Sequence, residues 1–487
     1  MGKKGGVKNA DEVKKIIGQE KKSAKKTKES ENGHTNGHTN GKGNSNSKVQ
    51  TTKGTTSGDI KDTLVIWRPH DEKFQTHKWY TGHGEIQQDI ENKSFEVTAT
   101  YKLKSKVMVQ DNILDIKNTI LADQYKEYGR CVAVVEETVN GFYGEKFKKY
   151  FAHYKIKYEP LVMRAMEADK ILSSVEKILV HLGKDGCDVS RNEPVLIVGG
   201  GVLSDVGGLA CSLQHRRSPY IMIGTTVVAA IDAGPSPRTC CNGNQFKNSI
   251  GAYHPPVLTL VDREFFRTLP KGHIRNGMAE IIKMAITDDI ILFELCEKYG
   301  LDIINTHFAT ETNDENLKKM ANEIIYRALY AYMKHEGTNM FETYQDRPHA
   351  YGHTWSPKYE PVAKLIHGHA VAIGMAFGAT MSHLLGWCNE QERDRIHALL
   401  RNLELSVYHD VLEDKKVMVT GQLNMRRKRG MGGLWAPLPK GIGNVDFAQE
   451  VEEDFLMKTV KAHKEICSKF ENHGHGKEMY LKDLGLA

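Results

Sequence analysis

One short stretch constrains this chain more than any other. In PVLIVGGGVLSDVGG (194–208) an unbroken apolar run meets three consecutive glycines and passes into a helical pattern. Apolar residues without alternation describe a strand covered on both faces, and a parallel sheet sandwiched by helices provides that cover. Comparable runs recur at VAVVEE (132–137), YIMIGTT (220–226) and VLTLVD (257–262), with helical patterns such as ADKILSSVEKILVHLGK and SDVGGLACSLQHR between them. The rhythm predicts an α/β fold with an N-terminal parallel-sheet, Rossmann-like domain. From about residue 273 the texture changes to long helical patterns: GMAEIIKMAITDDIILFELCEKYG, NLKKMANEIIYRALYAYMKHE and HAVAIGMAFGATMSHLLGW. A mainly α-helical second domain is expected there, with the boundary after Leu269-Pro270 and a site in the cleft between the halves.

Charge is distributed unevenly. The first 60 residues hold 13 Lys against 6 Asp or Glu, so the other 427 retain 54 basic and 55 acidic residues. The basic balance therefore belongs to the leader, whose NGHTNGHTNGKGNSNS run has too few apolar side chains to offset chain entropy. Three parts are expected: a disordered basic tail over 1–62, an α/β domain over 63–270, and a helical domain over 271–487. No apolar stretch approaches the 18 residues of a membrane span, and the start lacks the apolar core of a secretory signal. The eight cysteines follow no disulfide framework. A cytoplasmic enzyme is expected, with neither a membrane nor a nucleic-acid partner.

Three constellations could carry chemistry. The GGGVLSD turn offers free N–H groups at a helix N-terminus to a pyrophosphate, although such a turn can also merely join a strand to a helix. The stretch 223–256 reads as a long loop that crowds Thr225, Thr226, Asp232, Arg238, Lys247 and Asn248 between two strands. Its adjacent Cys240 and Cys241 cannot easily chelate one ion and are read as packing thiols. Glu280, His353, His367 and His369 supply a carboxylate and imidazoles of the kind that hold catalytic zinc, but their separation in sequence cannot establish a site. HGHG at 473–476 is read as solvated.

In this order the motifs resemble the sugar phosphate cyclase superfamily, of which dehydroquinate synthase is a member. The matching elements are the GGGxxxD turn, the TT pair, the Asp before a basic loop residue, the KN pair, MAEIIK, GH and HG. The resemblance implies a sheet domain that binds NAD and a helical domain that binds metal. NAD contacts would come from Glu167, Lys170, Gly200, Gly201, Asp205, Thr225, Thr226, Asp232, Lys247, Asn248, Thr268 and Leu269. Zinc, or cobalt, would be held by Glu280, His353 and His367. Asp232, Lys283, Arg238, Lys334 and His369 would serve catalysis, while Arg216, Arg238, Asn248 and Lys440 would hold the substrate phosphate. Arg216 would act across a homodimer.

The departures are specific. Dehydroquinate synthase has a lysine where this chain has Arg238, a second GH histidine where it has Pro357, an asparagine at Ala350, and HGE where His369 makes HGH. These positions orient the keto acid substrate. RPHAYGHTWSP, LIHGHAVAIGM and DAGPSPRTCC are instead similar to the branch acting on sedoheptulose 7-phosphate, and to its members that form desmethyl-4-deoxygadusol on the route to mycosporine-like sunscreens. The same fold also carries 2-epi-5-epi-valiolone synthesis and NAD- and zinc-dependent polyol oxidation.

Overall fold

The computed structural model describes residues 75–486, apart from 76, 90, 244, 245 and 431. The disordered tail expected over 1–62, and the onset of order expected near Thr63, lie outside the described residues.

The strands β1 (Tyr80–Asp89) and β2 (Ser94–Leu103) form an antiparallel hairpin and lead into β3 (Lys106–Val109). Strand–helix alternation follows: β4 (Arg130–Glu136), α1 (Glu137–His153), β5 (Lys157–Met163), α2 (Leu172–Leu182), β6 (Val195–Gly199), α3 (Gly201–Leu213) and β7 (Tyr220–Gly224). A second hairpin, β8 (Arg238–Gly243) with β9 (Phe246–Tyr253), precedes β10 (Leu258–Val261). The main sheet has six parallel strands in the order β3-β10-β7-β6-β4-β5. Leu196 and Val198 of β6 pack with Phe147, Tyr150 and Phe151 of α1. Val195 and Ile197 face the opposite way, toward Val175 and Ile178 of α2 and Val206 of α3. That two-sided burial is why the strand carries no polar residue.

The helical half comprises α4 (Lys271–Asp288), α5 (Ile290–Asn305), α6 (Glu315–Glu336), α7 (Ser356–Ala363), α8 (His367–Leu384), α9 (Glu390–Asn402) and α10 (Lys415–Arg429). The small hairpin β11 (Ala436–Pro439) with β12 (Val445–Ala448) follows, then α11 (Glu453–Cys467). α8 is buried almost all round from Gly368 to Ser382 and forms the centre of this half. No described helix is long and apolar enough to cross a membrane.

Two local expectations are corrected. The continuous pattern GMAEIIKMAITDDIILFELCEKYG is broken at Asp289, whose carboxylate accepts the Ile291 and Leu292 N–H groups at 2.9 and 3.0 Å and so starts a new helix. The long loop read over 223–256 contains a π-type turn at Ala229–Ala233 and the β8–β9 hairpin, which pairs Arg238 with Tyr253 and Cys240 with Gly251.

Candidate active site

β6 and β7 end side by side, Gly199 opposite Gly224, at the carboxyl edge of the sheet. Ligands of open parallel sheets bind at this edge. α3 begins here behind Gly200, with its first-turn N–H groups facing outward from the strand end. The buried Thr225 donates its N–H to the Gly199 carbonyl at 3.0 Å, and Thr226 Oγ1 accepts the Ala229 N–H at 3.1 Å. Lys170 Nζ pairs with Asp205 Oδ2 at 2.5 Å. Asn242 Nδ2 donates to Glu167 Oε1 at 3.0 Å, and its Oδ1 accepts the Asn248 N–H at 2.9 Å. Thr268 Oγ1 lies 3.3 Å from the Tyr143 hydroxyl, and Leu269 closes the turn after β10.

Above this edge a chain of charged groups crosses into the helical half. Lys247 Nζ lies 3.6 Å from Glu167 and 2.9 Å from Glu360 Oε1, and Glu360 Oε2 meets His367 Nδ1 at 2.9 Å. Glu280, only 1% exposed, places Oε1 3.1 Å from His367 Nε2 and 3.7 Å from His353 Nε2. Lys283 Nζ joins Glu280 Oε2 at 2.6 Å to Asp232 Oδ2 at 3.1 Å. The π-type turn re-aims Asp232 toward the helices, a common role for such turns. Arg238 completes the chain, 3.6 Å from Asp232, 2.7 Å from Glu336, 3.0 Å from Glu342 and 3.1 Å from the Tyr332 hydroxyl.

Glu280, His353 and His367 each offer a ligand atom within 4.8 Å of the others. Their outer contacts fit a metal. His353 Nδ1 lies 3.0 Å from the Tyr351 carbonyl and His367 Nδ1 faces Glu360, so both Nε2 atoms are turned inward. Burial draws His353 down to about 4, leaving it neutral. Burial opposes charge on His367 as well, but the Glu360 and Glu280 carboxylates push it up to about 10. A metal ligand must be the neutral ring, so metal uptake at His367 would release a proton. Against the cost of burial, the Lys283 ammonium and the two imidazoles hold the Glu280 carboxyl well below the usual carboxylate range.

Glycines set two of these ligands. Gly352 has φ +77°, a left-handed turn that delivers His353. At Gly368 a Cβ would stand 2.7 Å from Asn276 Cα, so α8 approaches α4 this closely only without a side chain. Gly368→Ala is expected to push His367 away from Glu280 and to lower both melting temperature and bound metal, by at least about 2 kcal/mol in stability. Thermal unfolding and metal content after dialysis check this; an unchanged protein would contradict the packing.

Several residues implied by the resemblance are not brought to this cluster. His369 points into the helical core because positions two apart on a helix diverge by about 200°. Its Nδ1 accepts the Ser406 N–H at 3.1 Å, and it touches no cluster residue. Lys334 is half exposed and pairs with Asp288, while Lys440 pairs with Asp446 inside its own hairpin. Arg216 is exposed in a turn at φ +66°. Of HGHG, Gly474 is buried and the Gly476 N–H donates to Ser406 Oγ at 2.9 Å, so the segment is anchored rather than wholly solvated. Cys241 is packed inside as expected, whereas Cys240 Sγ reaches Asp205 Oδ1 at 3.4 Å.

Glu360, Glu336 and Glu342 escaped the sequence reading, as did Arg347, which lies 3.4 Å from Glu336 and 3.0 Å from Glu342. Single charges on helices and loops leave no spacing signal, and Glu360 reaches His367 only across the break between α7 and α8 at Lys364.

The 3-dehydroquinate synthase N-terminal domain profile matches residues 160–276, and the C-terminal one matches 277–426. A demethyl-4-deoxygadusol synthase from Trichormus variabilis is 36% identical over 80% of this chain and 94% of its own. A 2-epi-5-epi-valiolone synthase from an Actinoplanes species is 34% identical over 75% of this chain and 92% of its own. The solved ValA 2-epi-5-epi-valiolone synthase of Streptomyces hygroscopicus subsp. jinggangensis, with NAD+ and Zn2+ bound, superposes with a TM-score of 0.71 at 33% identity. That match covers 76% of this chain and 99% of ValA.

Proposed function

The chain belongs to the 3-dehydroquinate synthase family and is a sugar phosphate cyclase, and from that premise we propose that it converts sedoheptulose 7-phosphate to desmethyl-4-deoxygadusol with loss of phosphate, the first step of mycosporine-like amino acid biosynthesis. The observation that carries the reading is the convergence of Glu280, His353 and His367 beside Asp232, Lys283 and Arg238, above a glycine turn at the sheet edge. The 36% identity to a demethyl-4-deoxygadusol synthase and the DAGPSPRTCC segment favour that product.

Bound NAD would take and return one hydride, while zinc on Glu280, His353 and His367 would polarise the oxygen of the hydroxyl whose carbon is oxidised. The residues around them have separable tasks. Gly200, Gly201 and the start of α3 present N–H groups to the cofactor's pyrophosphate, and Thr225 and Thr226 line the adjoining strand end. Lys170 and Lys247, each fixed by a carboxylate, would contact the cofactor. Asp232, held between Lys283 and Arg238, is placed to accept the proton of the substrate hydroxyl. Lys283 remains cationic beside Glu280 and stabilises the oxyanion that forms there. Arg238 and Asn248 receive the phosphate, and the paired carboxylates Glu336 and Glu342 fix the guanidinium plane that a bidentate grip requires. Lys334, Lys440 and His369, engaged elsewhere, are left out of this reading.

Incubation with sedoheptulose 7-phosphate, NAD and Zn2+ tests the product directly. A conjugated, ultraviolet-absorbing product supports the reading. A non-absorbing product heavier by one water indicates 2-epi-5-epi-valiolone synthesis, and no turnover overturns both.

Arg216 is assigned to the phosphate of the neighbouring subunit in a homodimer. Mixing Arg216→Ala subunits with Glu280→Ala subunits is expected to restore activity well above either variant, because one hybrid site receives both residues. Verified heterodimers without recovery would remove that role.

A further inference from the structure

The segment 474–486, which follows α11, touches two elements of the helical half. The first is the turn Lys364-Leu365-Ile366 that joins α7 to α8. Leu365 and Tyr480 form an antiparallel bridge there. The Ile366 N–H donates to the Met479 carbonyl at 2.9 Å, and the Leu481 N–H donates to the Lys364 carbonyl at 3.0 Å. Leu365, Ile366 and Met479 are all buried. The second element is the start of α4. The buried Arg275 guanidinium donates to Glu478 Oε2 at 2.9 Å and to Glu404 Oε2 at 2.7 Å. Leu484 packs so closely on Gly272 that a Cβ there would stand 2.6 Å from its Cδ2.

These contacts matter because of where His367 stands. Glu280 lies in the middle of α4, whereas His367 is the first residue of α8, and Ile366 before it supplies no side-chain cap. Helix ends open more readily than helix centres unless neighbours tie them down. Lys364 adds to the need, since it holds a left-handed φ of +53°, a conformation that a lysine adopts only where its surroundings impose it. Arg275 and Glu280 are five positions apart, about 140° around α4, so the segment grips that helix away from its metal-ligand face. We propose that residues 478–484 are a positioning strap for the metal centre, whose backbone at Met479 and Leu481 holds the turn that delivers His367 while Glu478 and Leu484 hold the helix that carries Glu280. The proposal rests on the metal site of the functional reading and adds what keeps two of its ligands in reach of one ion.

Leu481→Pro in the full chain tests the strap. Leu481 opens a 3-10 turn and Tyr480 before it is extended at ψ 151°, so the ring suits the backbone while removing the N–H that holds Lys364. Leu481→Ala trims the same side chain and keeps that N–H. Zn2+ affinity, measured by competition with a chromophoric chelator, is expected to fall at least about fivefold in L481P and to stay within about twofold of the parent in L481A. The visible spectrum of the Co2+-loaded protein is expected to shift in L481P alone, because the ligand geometry changes there. Glu478 asks the same of α4: E478A is expected to weaken Zn2+ at least about threefold, while E478Q, which can still accept from Arg275, stays near the parent. Metal-free melting temperatures within about 3 °C of the parent separate lost positioning from lost fold, and if L481P melts earlier the Glu478 pair decides alone. Variants that bind Zn2+ like the parent, or pairs whose two members weaken together, overturn the strap and leave the metal site standing. A parent protein that binds no Zn2+ overturns the metal site and the strap with it.

Discussion

Replacing His367 with alanine is expected to leave a folded protein that has lost its metal and turns over about a thousandfold more slowly. The reasoning begins with what each imidazole touches. His367 Nε2 lies 3.1 Å from Glu280, and its other nitrogen is held by Glu360, so the ring is oriented for one purpose. His369, two residues on, is fully buried with Nδ1 on Ser406 and burial drawing it down to about 3. His369→Ala is expected to retain the metal and to lose about 2–4 kcal/mol of stability, through the cavity it opens and the Ser406 N–H it leaves unpaired. Metal analysis after dialysis, together with thermal unfolding, separates the two variants. Metal loss from His369→Ala with retention in His367→Ala would reverse the assignment.

Acid is expected to destabilise this protein before ordinary carboxylates titrate. His254 and His397 are drawn by burial to about 4, and His369 and His463 to about 3. Three of them point a nitrogen at a buried carbonyl: His254 at Ser218 (2.7 Å), His397 at Ala376 (2.9 Å) and His463 at Val407 (2.9 Å). Neutral rings suit these sites, while the unfolded chain takes up protons near 6.5. With folded values below unfolded ones, the contribution is complete above pH 6.5 and is lost as pH falls toward 4. Each histidine costs up to about 1.4 kcal/mol per pH unit, so four approach about 5 kcal/mol. Asp262 opposes them, because burial raises its carboxyl to about 6 and the folded state gains a proton there first. The histidines win by roughly three groups. Melting temperature should fall by about 5–10 °C between pH 7.5 and 5.5. A flat profile would show that these rings are solvated.

The sheet was legible in the sequence because β6 and its neighbours are buried on both faces and so lack polar residues. α8 was legible for the same reason, its apolar run extending all round the helix. Other elements were masked by competing signals. β8 and β9 hide in a stretch of Gly, Pro and Asn whose composition reads as loop. The break at Asp289 is a single capping side chain within otherwise uninterrupted helical periodicity. The grouping of Glu280, His353 and His367 could not be read from spacing, since the three come from separate segments that only the fold brings together. The family resemblance supplied it as an expectation, and the structure places the three within reach of one ion. Lys334, Lys440 and His369, which the resemblance also implies, instead meet Asp288, Asp446 and Ser406, because matching a position in sequence does not fix which neighbour a long or buried side chain meets.

In the proposed reaction NAD is used and regenerated while the substrate loses phosphate and closes into a carbocycle. The most direct test follows inorganic phosphate and NADH absorbance together during one incubation with sedoheptulose 7-phosphate, NAD and Zn2+. One phosphate is expected to be released for each substrate consumed, with no build-up of NADH. NADH accumulating in step with substrate loss, without phosphate release, would contradict it and identify a polyol dehydrogenase on the same fold.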